Sequence, residues 1–291
     1  MSAEPTLYAV GLGSEARTAA LHGAVVASLP ARFAPAVGDP ATVVVVATVT
    51  RDWPTRVRAA VDAGAAGILV AGTGPADPVA IREAAAIADG AGVAAVADAG
   101  FALDPGWTRA LEELRRDAGT AALLDSVVTV AEADAVGVSA EDVLLAAAIG
   151  QVAVVRKVLG GLDRLVASTG AGKYAAHGAT GPVIVVLAGV LVSAPADGLR
   201  LDLVGRDARW EVRFPGEGLA KPARIARQSA DGTAELPPVF ESGHRRAWIA
   251  LHDALGGTSA PAYSLADLAN DTEIATAALH GGGWTVTPTA S

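Results

Sequence analysis

Lys173, Tyr174 and His177 bring three titratable side chains of different chemistry within five residues. An ammonium, a phenol and an imidazole that close could move protons or hold a polar ligand, because acid–base work needs titratable groups within hydrogen-bond reach of the proton they handle. The plainer reading of the same residues is the polar exterior of a loop or edge strand. Just before them, Gly170-Ala171-Gly172-Lys173 has the look of a phosphate-cradling loop. That pattern also needs Gly at position 167 and Ser or Thr at 174, where this chain has Ala167 and Tyr174. A phosphate loop is rejected.

Other chemistries find less to stand on. Five histidines (His22, His177, His244, His252 and His280) raise the question of a metal. Ligand pairs on one helix sit about four residues apart, and His244 and His252 are twice that, so surface or interface histidines are expected and no metal. Asp125 and Asp134 flank the apolar stretch Leu124–Val130 and are expected to be solvated. Arg245-Arg246 opens a helical stretch and reads as an exposed face. No Gly-x-Ser-x-Gly elbow exists to support a serine hydrolase. With no cysteine in the chain, disulfides and thiolate metal sites are impossible.

The elements that must position these residues follow a clear order. Leu7–Val10 is a short apolar run ending in Gly11-Leu12-Gly13, and Glu15–Leu29 is compatible with a helix. Val43–Thr48 is a β-branched run of the kind that forms a strand buried on both faces. Helix Thr55–Ala63, strand Gly67–Val70, helix Pro78–Gly90, strand Val93–Val96 and a helix from Asp104-Pro105 to Arg116 follow. Alternating strands and helices predict crossover units and a parallel sheet. From about residue 120 the pattern changes. A strand begins at Ala121–Leu124, and a long apolar helix spans Ala140–Leu159, stopped by Gly160-Gly161. Val183–Val192, Leu199–Val204 and Trp210–Phe214 predict an antiparallel meander, Pro215–Pro238 a surface loop, and Ser242–Leu255 and Ser264–Leu279 two closing helices. Two domains are expected, 1–120 and 121–291, as the length of 291 residues also suggests.

Composition narrows the function. A net charge of −9 argues against nucleic acid and against anionic membrane surfaces, both of which call for a basic footprint. The acidic opening Met1–Pro5 lacks the features of a signal peptide, and the longest apolar run, Val183–Val192, is half the length of a spanning helix. A cytoplasmic protein is expected. Val183–Leu187 and Val190–Val192 are apolar on both sides of their strand, although a sheet covered on one face should alternate. The second face is therefore expected to be covered in a homo-oligomer or hetero-oligomer.

The order of these elements, with Val10-Gly11-Leu12-Gly13, Asp39-Pro40 before Val43–Ala47, Ala63-Gly64 before Gly67–Val70, Val143-Leu144-Leu145 through Gly160-Gly161, Leu199–Gly205 and Ser264-Leu265, resembles the glucose–fructose oxidoreductase/inositol dehydrogenase (Gfo/Idh/MocA) family over nearly the whole chain. The resemblance implies a reduced Rossmann-like parallel sheet followed by an α+β domain with an open, mainly antiparallel sheet. It also implies NAD(P) on the first domain, a small molecule held in the interdomain cleft, and oligomers assembled through the C-terminal sheet. Cofactor contacts would fall on Gly11, Gly13 and Thr48, glycine letting helix-start amides approach a pyrophosphate. The third glycine position is Ala16, and only residues 14–42, interrupted by Pro30, Pro35 and Pro40, replace the family's second strand, ribose-binding acid, helix and third strand. Asp39, the nearest acid, is better read as a turn residue beside Pro40.

The family's catalytic side chains are missing from the positions where the resemblance puts them. Its Glu-Lys-Pro motif falls on Ala71-Gly72-Thr73, with Gly72 at the lysine, and its Asp and His fall on Ala146 and Gly150. Its Asn- and Arg-rich substrate loop falls on Ala99-Gly100-Phe101-Ala102-Leu103. Methyl groups and bare backbone cannot carry acid–base chemistry. The expectation is a pseudo-dehydrogenase: a partner subunit, ligand-binding protein or scaffold, holding no NAD(P) or holding it weakly. The alternative is an enzyme on the same scaffold. It would be either an NAD(P)-dependent oxidoreductase with unfamiliar acid–base residues or a cofactor-independent elimination, isomerisation or cyclisation catalyst, with Lys173, Tyr174 and His177 as substitute groups.

Overall fold

The computed structural model describes residues 7–36, 42–135, 137–216, 221–281 and 283–285. The Asp39-Pro40 turn and the Asp134 side chain lie outside the described residues. The chain divides into two compact units, one of Met1–Leu103 with Gly243–Asn270, the other of Asp104–Ser242 with Asp271–Ser291.

The first unit alternates strands and helices: β1 (Tyr8–Gly11), α1 (Ala16–Ala27), β2 (Phe33–Pro35), β3 (Val43–Ala47), α2 (Trp53–Asp62), β4 (Gly67–Ala71), α3 (Pro78–Gly90) and β5 (Ala94–Ala97). All five strands are parallel, in the order β2-β1-β3-β4-β5. Every residue of β4 is buried, as expected of an apolar strand covered on both faces. The sheet is a reduced Rossmann-like one. Its second strand is three residues long, and no helix is described between β2 and β3. α3 begins with Asp77, which accepts from the Val79 amide, and has Pro78 in its first turn, where the missing N–H costs nothing.

The second unit contains α4 (Pro105–Ala118), β6 (Ala121–Ala131), α5 (Ala140–Leu159), β7 (Arg164–Gly170), β8 (Lys173–Thr180), β9 (Val183–Val192), β10 (Gly198–Gly205), β11 (Ala208–Phe214), β12 (Arg224–Ser229) and β13 (Gly232–Glu235). After α6 (Gly243–Leu255) and α7 (Leu265–His280), a short strand β14 (Trp284–Thr285) ends the described chain. One open sheet has the order β13-β12-β11-β10-β6-β9-β8-β7-β14, antiparallel except where β6 runs parallel to β9. α5 is a well-specified helix. Ser139 caps its first turn, Glu141 and Asp142 sit at its positive end, Arg156 and Lys157 at its negative end, and Gly160 closes it at φ 81°.

Several expectations need correction. β9, β10 and β11 are not a meander, because β6 is inserted between β9 and β10. The expected loop at Pro215–Pro238 contains β12 and β13. Asp125 lies inside β6 rather than at its end. The two units are not separated by one cut near residue 120, since α6 packs back onto the first unit. Its Trp248 and Leu251 are fully buried, and Leu255 closes over Gly67, where a Cβ would meet it at 3.1 Å.

Candidate functional site

At the β1–α1 turn, Gly13 takes φ 74°, and a Cβ there would lie 3.4 Å from the Val45 carbonyl oxygen. The residue capping α1 is Glu15. Its carboxylate accepts from the Arg17 amide at 3.1 Å and from the Thr18 amide at 2.6 Å. Hydrogen bonding from Thr18 holds this carboxyl below the usual range, with burial opposed. These are amides that a helix start offers to a phosphate, and here they already face a negative charge from the chain itself.

Thr48, the third expected cofactor contact, is buried at the carboxyl end of β3. Its hydroxyl donates to the Ala71 carbonyl at 2.9 Å and accepts from the Gly74 amide at 3.1 Å. The Trp53 indole donates to the Gly74 carbonyl at 3.1 Å. The turn carrying Gly72 is thus fastened from two sides. Gly72 itself has φ 99°, and a Cβ would meet the Thr48 hydroxyl at 3.1 Å. A side chain at this position would be strained by its backbone and crowded by its neighbour.

In the second unit, Ala146 and Gly150 lie on α5, Gly150 buried. The next residue, Gln151, is fully buried and polar. Its amide donates to the Ser126 hydroxyl at 3.0 Å and the Ala188 carbonyl at 3.2 Å, and its oxygen accepts from the Tyr174 hydroxyl at 2.5 Å. Burial drives the Tyr174 phenol far above its ordinary range, so it serves as a hydrogen-bond donor and not as a base. The structure does not bring Lys173, Tyr174 and His177 together. Side chains alternate along β8, with Lys173 and His177 exposed and Tyr174 turned to the core.

A different cluster, in the first unit, was not anticipated from the sequence. Asp98 follows the carboxyl end of β5 and is 2% exposed. One oxygen accepts from the Gly100 amide at 3.0 Å. The other lies 2.6 Å from His244 Nδ1, at the start of α6, and 3.9 Å from His22 Nε2, on α1. Trp248 Nε1 donates to His22 Nδ1 at 3.1 Å. Burial pushes the Asp98 carboxyl up, but the His244 imidazole and then His22 outweigh it and hold the group below the usual carboxylate range. His244 keeps a fifth of its side-chain surface in solvent. The sequence gives one faint signal, an acid directly after a buried parallel strand, where α/β sheets place their ligands. Its hydrogen-bond partner His244 lies 146 residues further on. Among the described residues there is no group of three or more side chains able to hold a metal ion, and no helix long and apolar enough to cross a membrane.

No family model matches the chain, and no curated protein matches it by sequence. Solved structures match it over nearly its full length. The two-unit fold is that of a group of oxidoreductases and dehydrogenases, as the sequence resemblance implied. YvaA of Bacillus subtilis, which carries an oxidoreductase assignment, superposes with a TM-score of 0.74 at 12% identity, over 99% of this chain and 100% of its own. WlbA, a dehydrogenase of Bordetella pertussis solved with NADH and UDP-GlcNAcA, gives 0.71 at 13% identity over 97% and 99%. The UDP-N-acetylglucosamine 3-dehydrogenase GnnA of Acidithiobacillus ferrooxidans gives 0.66 at 13% identity over 94% and 95%. At these identities the likeness establishes the fold.

Proposed function

We propose that this chain is a non-redox protein on a dehydrogenase fold, serving as a ligand-binding or partner subunit. The observation that carries the reading is the Glu15 cap. A carboxylate on the α1 amides repels the pyrophosphate that the same amides would otherwise hold, and without a bound nicotinamide there is no hydride to move. The residues at Gly72, Ala146 and Gly150 support it from the side of acid–base chemistry. Titration of the purified protein with NADH and NADPH, followed by nucleotide fluorescence, tests the reading. No saturable binding up to millimolar nucleotide is expected, and a micromolar Kd for either would overturn it.

A second reading is favoured by Asp98 and His244. A buried carboxylate on one imidazole nitrogen fixes the ring's tautomer and raises its basicity, the arrangement used by general bases. On this reading the chain is a cofactor-independent acid–base catalyst, with His244 handling the proton and Asp98 positioning it. A substrate-like ligand that shifts the His244 ring signals on binding would support it. Ligands that bind and leave those signals unmoved would count against it.

The partner, in either reading, is a second copy of this chain. Leu123, Val127, Ile184, Val186 and Ala188 make an apolar stripe on the outward side of β6 and β9, with Ile184 57% exposed. Asp125 interrupts it on β6 opposite Val186, and His177 on β8 faces Val186 from the other side. Light scattering at micromolar concentration should give a dimer or larger, and a monomer mass would refute it.

A further inference from the structure

We propose that His22 is a proton-operated latch within the first unit: neutral, it fastens α6 to α1, and protonated, it lets α6 go. The argument rests on which hydrogens the ring can carry. An indole N–H donates and cannot accept. Because Trp248 Nε1 donates to His22 Nδ1 at 3.1 Å, that nitrogen must present a lone pair, and the single ring proton sits on Nε2, toward Asp98. The resting imidazole is therefore neutral. Taking up a second proton would set an N–H against the indole N–H, break the bond to α6, and leave a charge on a side chain only 3% exposed.

Asp98 does not rescue the cation. Its nearer oxygen is 3.9 Å from His22 Nε2, beyond hydrogen-bond reach, and the same oxygen is already held at 2.6 Å by His244. The other oxygen is taken by the Gly100 amide. His244 lies with its ring centroid 6.0 Å from that of His22 and opposes a second positive charge. Among the described residues, Asp98 and His244 are the charged groups that act on His22. The β2 strand packed beside α1 presents Phe33, Ala34 and Pro35, and His252 lies against Tyr8 and Phe33 instead. Burial, the largest effect, holds His22 below an ordinary imidazole, with Asp98 opposed and His244 reinforcing.

α6 is the element such a latch would control. It carries Trp248 and Leu251 into the core of the first unit, and the chain reaches it only after passing through the second unit. One proton taken up on opening makes the open population rise about tenfold per pH unit below about 6.5, until the folded-state value of His22 is reached.

Hydrogen–deuterium exchange of residues 243–255 between pH 7 and pH 5, corrected for intrinsic rates, tests the proposal on the full chain. Wild type should show exchange rising toward that tenfold per unit. His22→Gln keeps an acceptor for Trp248 and a donor toward Asp98 but cannot titrate. Its α6 should stay protected with the slope gone, and a His22→Gln protein retaining the wild-type slope would overturn the proposal. Nitrogen-15 NMR of wild-type His22 supplies a second measurement should the variant fail to fold. The ring should remain in the Nε2–H form while α6 stays protected. A His22 that titrates near pH 6.5 with α6 protection unchanged would equally overturn it.

Discussion

The Tyr174 hydroxyl donates to the side-chain oxygen of Gln151 at 2.5 Å, joining the core face of β8 to the middle of α5. That bond decides which of the polar residues on β8 are structural. Tyr174→Phe or Gln151→Leu leaves buried partners without a bond and should destabilise the protein by about 1–3 kcal/mol in denaturant unfolding. Lys173→Ala and His177→Ala, on the opposite face, should stay within about 0.5 kcal/mol.

Gly189 stands directly opposite Tyr174 in the β8–β9 register, and the phenol ring lies over it. A methyl group there would overlap the ring. Gly189→Ala should therefore cost about 1–3 kcal/mol, the range for forcing extra volume into a packed core. Gly172→Ser, in the exposed turn that joins β7 to β8, tests backbone strain at φ 68° instead and should be milder than a core clash.

Asp271 is fully buried on α7 and meets Arg156 of α5 through two bonds, Nε at 2.6 Å and an Nη at 3.2 Å. Removing one member of a buried pair leaves the other charge uncompensated. Asp271→Ala should lower stability by about 3–5 kcal/mol, among the largest losses of any single substitution, measured by urea or thermal unfolding.

Asp98 gives a prediction with a sign. Its carboxyl is held below the ordinary value of 3.8, so the unfolded chain binds the proton first on acidification. The stability it contributes is present above about pH 4 and is lost as pH falls through the folded-state value. Asp98→Asn should be less stable than wild type by about 1.5–3 kcal/mol at neutral pH, the range for a hydrogen bond to a charged group. The gap should narrow below pH 4. A gap independent of pH would show that the charge is not what matters.

Much of the fold was legible because its signals are local. α5 has a serine cap, acidic and basic ends and a glycine stop, and β9 is a β-branched run, so both could be bounded from the sequence. β13 was not, since all four of its residues are exposed, and β12 carries arginines that read as loop. No local pattern records that β6 slides between β9 and β10, because strand order is set by long-range packing. The site was harder still. Lys173, Tyr174 and His177 are neighbours in sequence, but strand alternation separates them, whereas His22, Asp98 and His244 are strangers in sequence brought together by α6.

The reading of the β1–α1 turn also predicts that Glu15→Ala frays α1, at about 0.5–2 kcal/mol, by removing its cap. The central claim is tested most directly by nucleotide binding itself, with NADH titrated into the wild-type protein by calorimetry at low salt, where charge effects are least screened. The account predicts no heat of binding up to millimolar NADH. A saturable isotherm with a micromolar Kd would contradict it.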